Sequence, residues 1–256
     1  MSRLRRQPWL EAVLLVLLFL VALAIRLYGL HKWPPGLYND EAANGLDAIG
    51  VLAGRRPIFF ENNNGREPLF IYLQAVSMAL FGATPYALRL TAALVGALTV
   101  PAIYWMTREA FSRTTLPSRW LALWTALFLA FSYWHISLSR IGFRAIMLPL
   151  MAALAFGWFW RAWWRIDTSD DPPSQKGRAG LPLLDLVLCG VFVGASLYTY
   201  TAARFIPVVI AIVTLLGAAL PVRSAQRTKR IVLALGVISA TALVVFAPLG
   251  LYFLSH

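Results

Sequence analysis

Two adjacent carboxylates, Asp40 and Glu41, are the residues of this sequence best suited to acid–base chemistry. They lie in the long polar stretch that follows the first hydrophobic segment. A carboxylate can take a proton from a hydroxyl group and so make its oxygen nucleophilic. The same pair also suits a structural role, because Asp40 is a good N-cap and Glu41 would favour the positive end of a helix dipole. The pair is too small a ligand set to predict a metal site, and it leaves a divalent metal open.

Arginines form the second group of chemically suited residues. Arg140 and Arg144 are four residues apart, so on a helical turn they would share one face. A guanidinium group is suited to bidentate binding of a phosphate. We therefore predict a phosphate-binding set that comprises Arg66, Arg89, Arg140, Arg144 and Arg204. The alternative is that these arginines are membrane stop signals, or that they pair with Glu61 and Glu67.

Membrane helices are the elements that must position these groups. Hydrophobic residues make up 59% of the chain and charged residues 13%, whereas a soluble domain carries about 25% charge. The net charge is +12, but the Lys and Arg residues form short clusters between apolar segments, which is typical of topology signals. The composition predicts an all-α, multi-pass membrane protein and excludes nucleic-acid binding. The single cysteine, Cys189, excludes an intrachain disulfide and a thiolate metal cage.

About seven apolar segments are long enough to cross a bilayer. They are residues 9–30, 90–107, 120–138, 145–164, 183–201, 205–220 and 231–254. The first segment has a second interpretation as a signal peptide, because Arg3, Arg5 and Arg6 precede it and residues 22–24 resemble a cleavage site. Its apolar run continues to Leu30, which is longer than a usual signal core, and favours a membrane helix.

The shorter apolar segment 68–82 determines the predicted topology. Cytoplasmic loops should contain the excess of Lys and Arg, and this holds only if the segment does not cross the membrane. We therefore predict that it is a helix lying in or dipping into the outer interface. The N-terminus is then cytoplasmic, and the large first loop, residues 31–89, is external and contains Asp40 and Glu41.

A second interfacial helix is predicted at residues 41–54. Ala42, Leu46, Ile49 and Ala53 recur at helical spacing, as in an amphipathic helix on a membrane surface, and Gly54 would end it. Two interfacial helices would hold the carboxylates close to the membrane, as a site that acts on a lipid-linked substrate requires.

Two further segments have simpler interpretations. Residues 165–182 are rich in Asp, Pro, Ser and Gly, which is typical of a flexible cytoplasmic linker. Gly190 and Gly194 form a small-xxx-small pair that could pack helices within one chain or between two chains, which leaves a homodimer open.

Several motifs, in their order along the chain, resemble the opening of C-type membrane glycosyltransferases. The nearest resemblance is to the bacterial dolichyl-phosphate-mannose-protein mannosyltransferase-like and aminoarabinose-transferase group. The motifs are Arg26-Leu27-Tyr28, Pro34-Pro35-Gly36-Leu37-Tyr38-Asn39-Asp40-Glu41, Gly65-Arg66-Glu67-Pro68-Leu69, Phe81-Gly82 and Arg89. The resemblance implies one module over residues 1–256, with seven transmembrane helices and a large first external loop. Relatives commonly continue further, so we expect that this chain lacks their C-terminal region.

The resemblance also implies an activity. It is the inverting transfer of a monosaccharide from a polyprenyl-phosphate donor to a hydroxyl of a protein, lipid or glycan acceptor, at the external face of a prokaryotic plasma membrane. Asp40 would be the base, and Glu41 would orient the acceptor or raise the basicity of Asp40. Arg140, Arg144 and Arg204 would stabilise the departing phosphate.

The chain departs from that family pattern at two places. The turn 139–149 contains Arg140 and Arg144 but lacks the acidic residue of many relatives, and Glu67 replaces a basic residue or histidine before Pro68. The donor sugar and the acceptor therefore stay open. Two other hypotheses also stay open: a transporter or flippase for polyprenyl-linked sugars, and a non-catalytic lipid-binding subunit.

Overall fold

The structure is a computed structural model that describes residues 8–167, 181–219 and 225–256. The N-terminal arginines Arg3, Arg5 and Arg6, and most of the predicted linker 165–182, lie outside these described residues. The helices are α1 (Pro8–Leu27), α2 (Asn39–Leu52), α3 (Leu69–Phe81), α4 (Pro85–Ala110), α5 (Ser118–Phe131), α6 (Tyr133–Arg140), α7 (Met147–Asp167), α8 (Leu183–Ser196), α9 (Phe205–Ala219) and α10 (Ala225–Ser255). Within the described residues there is no strand, only an isolated bridge between Phe60 and Arg66. The all-α prediction is confirmed.

All seven predicted spans are helical, but they differ in length. Five described helices are long and apolar enough to cross a membrane: Trp9–Leu27, Pro85–Ala110, Arg144–Ile166, Thr201–Ala219 and Ala225–Ser255. Helices α5 and α6, which meet at a 54° bend, pass the same length and hydropathy test only when taken together, as a broken span or a re-entrant loop. The span predicted at 183–201 corresponds to α8, which has only 14 residues. The interfacial segment 68–82 corresponds to the short helix α3.

A buried arginine fills the bend between α5 and α6. Arg26, at the end of α1, donates to the backbone oxygen of Ala130 at 3.3 Å and to Ser139 Oγ at 3.2 Å. Its Nη2 lies 2.8 Å from His135 Nδ1. Gly96 of α4 makes room for this cluster, since a Cβ there would lie 2.1 Å from Ser139 Oγ. These bonds satisfy a carbonyl that the bend removes from the helical ladder, as a broken membrane span requires.

Helix α4 is central and contacts α1, α3, α5, α6 and α7, while α8 packs on α7 and α10. Gly190 and Gly194 both face α10, where an added Cβ would lie 2.7 Å from the backbone oxygens of Ile238 and Ala242. The small-xxx-small pair therefore packs two helices of the same chain, and it gives no support to a homodimer.

Helix α2 has two contrasting faces. The apolar stripe predicted from the sequence points outward, since Leu46 is 67% and Ile49 46% exposed. The opposite face is buried and polar, and it carries Glu41, Asn44 and Asp47. An outward apolar stripe is what a helix on a membrane surface presents to lipid. The charged side of α2 therefore points into the protein, toward the candidate site.

Candidate active site

The start of α2 separates the two carboxylates. Tyr38 is the N-cap residue, so the prediction that Asp40 is the N-cap is wrong, and Asp40 lies inside the first turn. Glu41 Oε2 accepts a hydrogen bond from the Tyr38 backbone N–H at 3.0 Å, which satisfies one of the free amides at the helix start. Glu41 is buried, whereas Asp40 is only half-buried.

An ion pair with Arg89 occupies both carboxylate oxygens of Glu41. Arg89 Nε donates to Oε1 at 2.9 Å, and Nη2 donates to Oε2 at 3.2 Å. Arg89 also donates to the backbone oxygens of Pro34, at 2.8 Å, and Gly36. Burial raises the pKa of Glu41, but the hydrogen bonds from Arg89, Gly142 and Tyr38 and the charge of Arg89 lower it, and the net direction is downward. Glu41 and Arg89 fasten the loop 34–36 to α2 and α4.

Gly142, which lies between α6 and α7, brings that loop into contact with the carboxylate of Glu41. Its N–H donates to Glu41 Oε1 at 2.7 Å, and its carbonyl accepts from Asn44 Nδ2 at 3.0 Å. A Cβ at Gly142 would lie 3.1 Å from Gln74 Nε2 and 3.4 Å from Glu41 Oε1. The absence of a side chain therefore allows the backbone to approach Glu41 closely.

Arg140 and Arg144 do not share a helical face, so that prediction is wrong. Helix α6 ends at Arg140, Ile141 is extended, and Arg144 begins a separate 3-10 turn. The docking of Gly142 requires this extended break. Arg140 turns toward the end of α1, where Nη1 donates to the backbone oxygens of Ile25 at 2.9 Å and Arg26 at 3.1 Å. These bonds cap the carboxyl end of α1.

Arg66 is also bound inside the protein. It is 3% exposed and donates to Asn44 Oδ1 at 2.6 Å and to Asp47 Oδ2. The net direction of the pKa of Arg66 is downward, and burial is the largest cause. The charge of Arg144 also lowers this pKa, whereas the charges of Asp47 and Asp40 raise it. Asp40 and Arg144 are therefore both close enough to Arg66 to act on its charge. We call Glu41, Arg89, Arg66 and Asp47 the buried loop network.

A tight turn, residues 60–66, lies in space between the side chains of Asp40 and Arg144. The Phe60–Arg66 bridge closes it with backbone bonds of 3.0 and 2.7 Å. Asn63 Nδ2 donates to Asp40 Oδ1 at 2.7 Å, while the Gly65 carbonyl accepts from Arg144 Nη1 at 3.3 Å. The carboxylate and the guanidinium thus contact the same short turn from two sides.

Arg144 connects this turn to the loop before α9. It lies 3.2 Å from Glu67 Oε2 and 5.6 Å from the centre of the Tyr200 ring. Thr201 donates to Glu67 Oε1 at 3.1 Å. Glu67 is buried, and among the described residues its Oε2 receives no hydrogen bond, because the geometry of the Arg144 contact does not provide one.

Arg204 completes the set of charges around Arg144. Arg204 is the last residue of the 3-10 turn Thr201–Arg204. Side chains three residues apart lie above one another in such a turn, so the side chains of Arg204 and Thr201 are on the same face. Arg204 is exposed, and no described residue forms a hydrogen bond or ion pair with its side chain. We call Asp40, Glu67, Arg144 and Arg204 the open rim.

Of the residues singled out in the sequence, the structure groups Asp40, Arg144 and Arg204 at one end of the bundle. Arg66 and Arg89 lie beneath them with their donors already used, and Arg140 caps α1. Sequence reasoning missed the polar partners Asn44, Asp47 and Asn63. Glu41, Asn44 and Asp47 recur every third residue, and this buried polar stripe on α2 was a signal that could have identified two of them.

No group of three His, Cys, Asp or Glu side chains in the described part of the chain converges as a metal site would require. A divalent metal stays open. A carboxylate such as Asp40 is chemically able to accept a proton, and guanidinium groups such as Arg144 and Arg204 are able to bind an anion.

Comparisons with known proteins agree with this architecture. A family model described as dolichyl-phosphate-mannose-protein mannosyltransferase matches residues 61–255, a range that begins after Asp40 and Glu41. A comparison with curated protein sequences gave no match.

Two similar solved structures share the fold. One is a chain of the S. cerevisiae protein O-mannosyltransferase Pmt1–Pmt2 complex bound to the sugar donor, with 22% identity and a TM-score of 0.68 over 93% of this chain and 33% of that one. The other is the Archaeoglobus fulgidus oligosaccharyltransferase complex with Zn and sulfate, with 20% identity and a TM-score of 0.70 over 92% of this chain and 31% of that one. This chain spans about a third of the length of each.

Proposed function

The chain belongs to the dolichyl-phosphate-mannose-protein mannosyltransferase family, and from this we propose that it is a membrane glycosyltransferase with a polyprenyl-phosphate sugar donor. We further propose that residues 1–256 act as one module, that the reaction inverts the anomeric centre, and that Asp40 is the base. The acceptor is a hydroxyl group of a protein, lipid or glycan.

The contrast between the two adjacent carboxylates is the observation that carries this proposal. Both oxygens of Glu41 are occupied by Arg89, Gly142 and Tyr38. Asp40 has one described partner, the exposed side chain of Asn63, which a substrate can displace. Asp40 is therefore the carboxylate that can meet an acceptor hydroxyl, and Glu41 positions the helix that carries it.

The proposed reaction is a single displacement. Asp40 takes the proton of the acceptor hydroxyl as its oxygen bonds to the anomeric carbon. The bond between that carbon and the phosphate oxygen breaks, and the electron pair leaves with the polyprenyl phosphate, whose negative charge rises. One base is sufficient, in contrast to a retaining double displacement with a separate nucleophile.

Arg144 and Arg204 are proposed to stabilise that departing charge. Arg144 Nη1 donates to the Gly65 carbonyl and lies 3.2 Å from Glu67 off the geometry of a hydrogen bond, whereas Nε and Nη2 donate to no described residue and can turn to a phosphate. Arg204 is exposed. Arg66, Arg89 and Arg140 are not part of the proposed phosphate site, because backbone, amide and carboxylate oxygens of the protein accept their hydrogen bonds.

The active site is proposed to face the outside of the plasma membrane. Arg108, Arg113, Arg119, Arg161 and Arg165 lie at the end of the bundle opposite to Asp40, and an excess of such residues marks the cytoplasmic side. A cysteine introduced at exposed Asn64 is expected to react with an impermeant maleimide in intact cells. The native Cys189 is buried and provides a low background. Labelling only after lysis would place this end inside.

The test of the activity is sugar transfer from synthetic polyprenyl-phosphate monosaccharides, with mannose first, by purified wild type and Asp40→Asn in parallel. The wild type is expected to transfer, and the variant to bind donor while failing to turn over. Equal transfer by both proteins would exclude Asp40 as the base. Tight donor binding without turnover by the wild type would favour the lipid-binding subunit, and donor translocation across vesicles would favour the flippase.

A further inference from the structure

A polar cavity of about 300 Å³ lies at the end of the bundle opposite to Asp40. It opens between the ends of α4 and α7 and the loop after α4. Its walls are Glu109, Ser112, Arg113, Arg161, Trp164 and Arg165. None of these residues belongs to the open rim or to the buried loop network, so the proposed glycosyltransferase reaction gives the cavity no role.

Guanidinium and carboxylate groups both lie around this cavity. Asp185 is buried behind it and lies 2.7 Å from Arg165 Nη1 and 3.8 Å from Arg161 Nε. The walls also contain Glu109 and Arg113. The guanidinium groups of Arg113 and Arg161 are therefore the groups of this cavity that suit an oxyanion such as a phosphodiester.

Two of the arginines still have donors to offer. The contact of Arg161 with Asp185 is too long for a hydrogen bond, and among the described residues Arg161 forms none, although its guanidinium lies 5.4 Å from the centre of the Trp158 ring. Arg113 is exposed, and no hydrogen bond or ion pair joins its side chain to another described residue. A half-buried guanidinium without hydrogen bonds, beside a polar cavity, is suited to an anionic ligand.

The depth of the cavity indicates where that anion comes from. Trp160 and Trp164 of α7 stack at 6.1 Å, and Phe159 packs on Trp160 and Trp163. Tryptophans concentrate at the level of the lipid headgroups, because one side of the ring is apolar and its N–H is polar. A cavity bordered by Trp164 therefore lies at the depth of phospholipid phosphates.

We propose that this cavity binds the phosphate of an anionic phospholipid, with Arg113 and Arg161 as its ligands. The guanidinium groups hold the phosphodiester oxygens, and the indole of Trp164 borders the lipid near its glycerol. A zwitterionic lipid is disfavoured, because its ammonium group would lie close to the guanidinium groups of Arg113 and Arg161. The inference is independent of the proposed function and concerns the other end of the bundle.

The test uses short-chain phosphatidylglycerol as the probe, added to the full chain in a neutral detergent. Binding is read by native mass spectrometry and by the rise of the thermal unfolding midpoint with lipid concentration. The double variant Arg113→Gln with Arg161→Gln is expected to weaken phosphatidylglycerol binding roughly tenfold or more. Weak binding of phosphatidylcholine should stay unchanged. Arg113→Gln alone should cause part of this loss of phosphatidylglycerol affinity. Because Arg113 is exposed, this substitution should leave the fold intact.

The matched control is Lys32→Gln with Arg55→Gln, which removes the same charge from exposed positions at the opposite end. Unchanged affinity in this control supports a specific site. An equal loss in both double variants would mean bulk electrostatics and would overturn the proposal, as would full affinity in the Arg113 and Arg161 variant. Inorganic phosphate is the second probe. If it binds as tightly as phosphatidylglycerol and depends on the same arginines, the site takes free phosphate and the lipid assignment is wrong.

Discussion

The buried loop network and the open rim contain the same residue types within a few residues of each other, yet they are suited to different tasks. In the network, each side-chain nitrogen of Arg89 and each carboxylate oxygen of Glu41 has a hydrogen-bond partner inside the protein. In the rim, Asp40 and Arg204 keep atoms that a ligand can reach. The type of a charged residue therefore does not distinguish the two regions, whereas the saturation of its hydrogen bonds does.

The two regions also differ in the free energy that it costs to break their contacts. A buried ion pair adds little net stability over an apolar pair, but it costs much to break, because one charge is left without a partner in a medium of low polarity. Such a pair fixes geometry. In the rim, the contact between Asp40 and Asn63 is single and exposed, so it is cheap to exchange for a substrate.

The largest expected effect separates Asp40 from every residue of the network. Asp40→Asn should lower kcat by about 10²–10⁴-fold, because a positioned base contributes that much. The thermal unfolding midpoint should hardly change, since an asparagine can still accept from Asn63. Transfer assays and unfolding curves of the same preparation provide the measurement. A stability loss that parallels the activity loss would place Asp40 in the network.

The next effect tests the network itself. Arg89→Ala should destabilise the fold by about 3–5 kcal/mol, because Glu41 would remain buried without its partner. Denaturant unfolding in detergent measures this change. Arg204→Ala is the matched control from the rim and should leave the stability unaltered. If the two variants unfold alike, burial does not distinguish the regions.

A third comparison lies within the rim. Arg144→Ala should lower kcat/KM by roughly 10–100-fold and Arg204→Ala by about tenfold, because hydrogen bonds between charged groups are strong but exposed ones are discounted. Arg55→Ala, an exposed arginine in the segment between α2 and α3, should be neutral. Donor titrations at several acceptor concentrations give the values, and a full effect at Arg55 would indicate general electrostatic attraction.

The pH dependence of stability should come from the network. Folding lowers the pKa of Glu41 from its ordinary value of 4.5. The stability linked to its charge is therefore complete above that value and is lost as the pH falls through the lowered folded pKa. Unfolding midpoints from pH 7 to pH 3 should fall more steeply for wild type than for Glu41→Gln. Parallel curves would contradict the assignment.

The smallest expected effect concerns Glu67. Glu67→Gln should raise the affinity for polyprenyl phosphate by about threefold at most, because Arg144 no longer divides its charge between Glu67 and the ligand. Equilibrium binding of the sugar-free lipid measures it. A lower affinity would instead make Glu67 part of the support that positions Arg144.

Much of the fold could be predicted from the sequence, because the apolar run that indicates a membrane helix lies within a single segment. Every predicted span and both short helices of the first loop are helical in the structure, and Gly54, at φ 97°, follows the end of α2 as expected. The failures are the N-cap and the shared face of Arg140 and Arg144. Helix α2 begins before Asp40, with Tyr38 as its N-cap. Extended Ile141 separates Arg140, at the end of α6, from the turn that Arg144 begins.

Length, apolar runs and motif order were sufficient to predict the fold class and the family, and they singled out Asp40 as the proposed base. The partners of the arginines were decided only by the tertiary structure. Glu41 meets Arg89 at a sequence separation of 48 residues and Gly142 at 101. Whether a guanidinium binds a carboxylate within the protein or faces a phosphate outside it depends on burial and on partners that lie far apart in the sequence, and neither property belongs to a single segment.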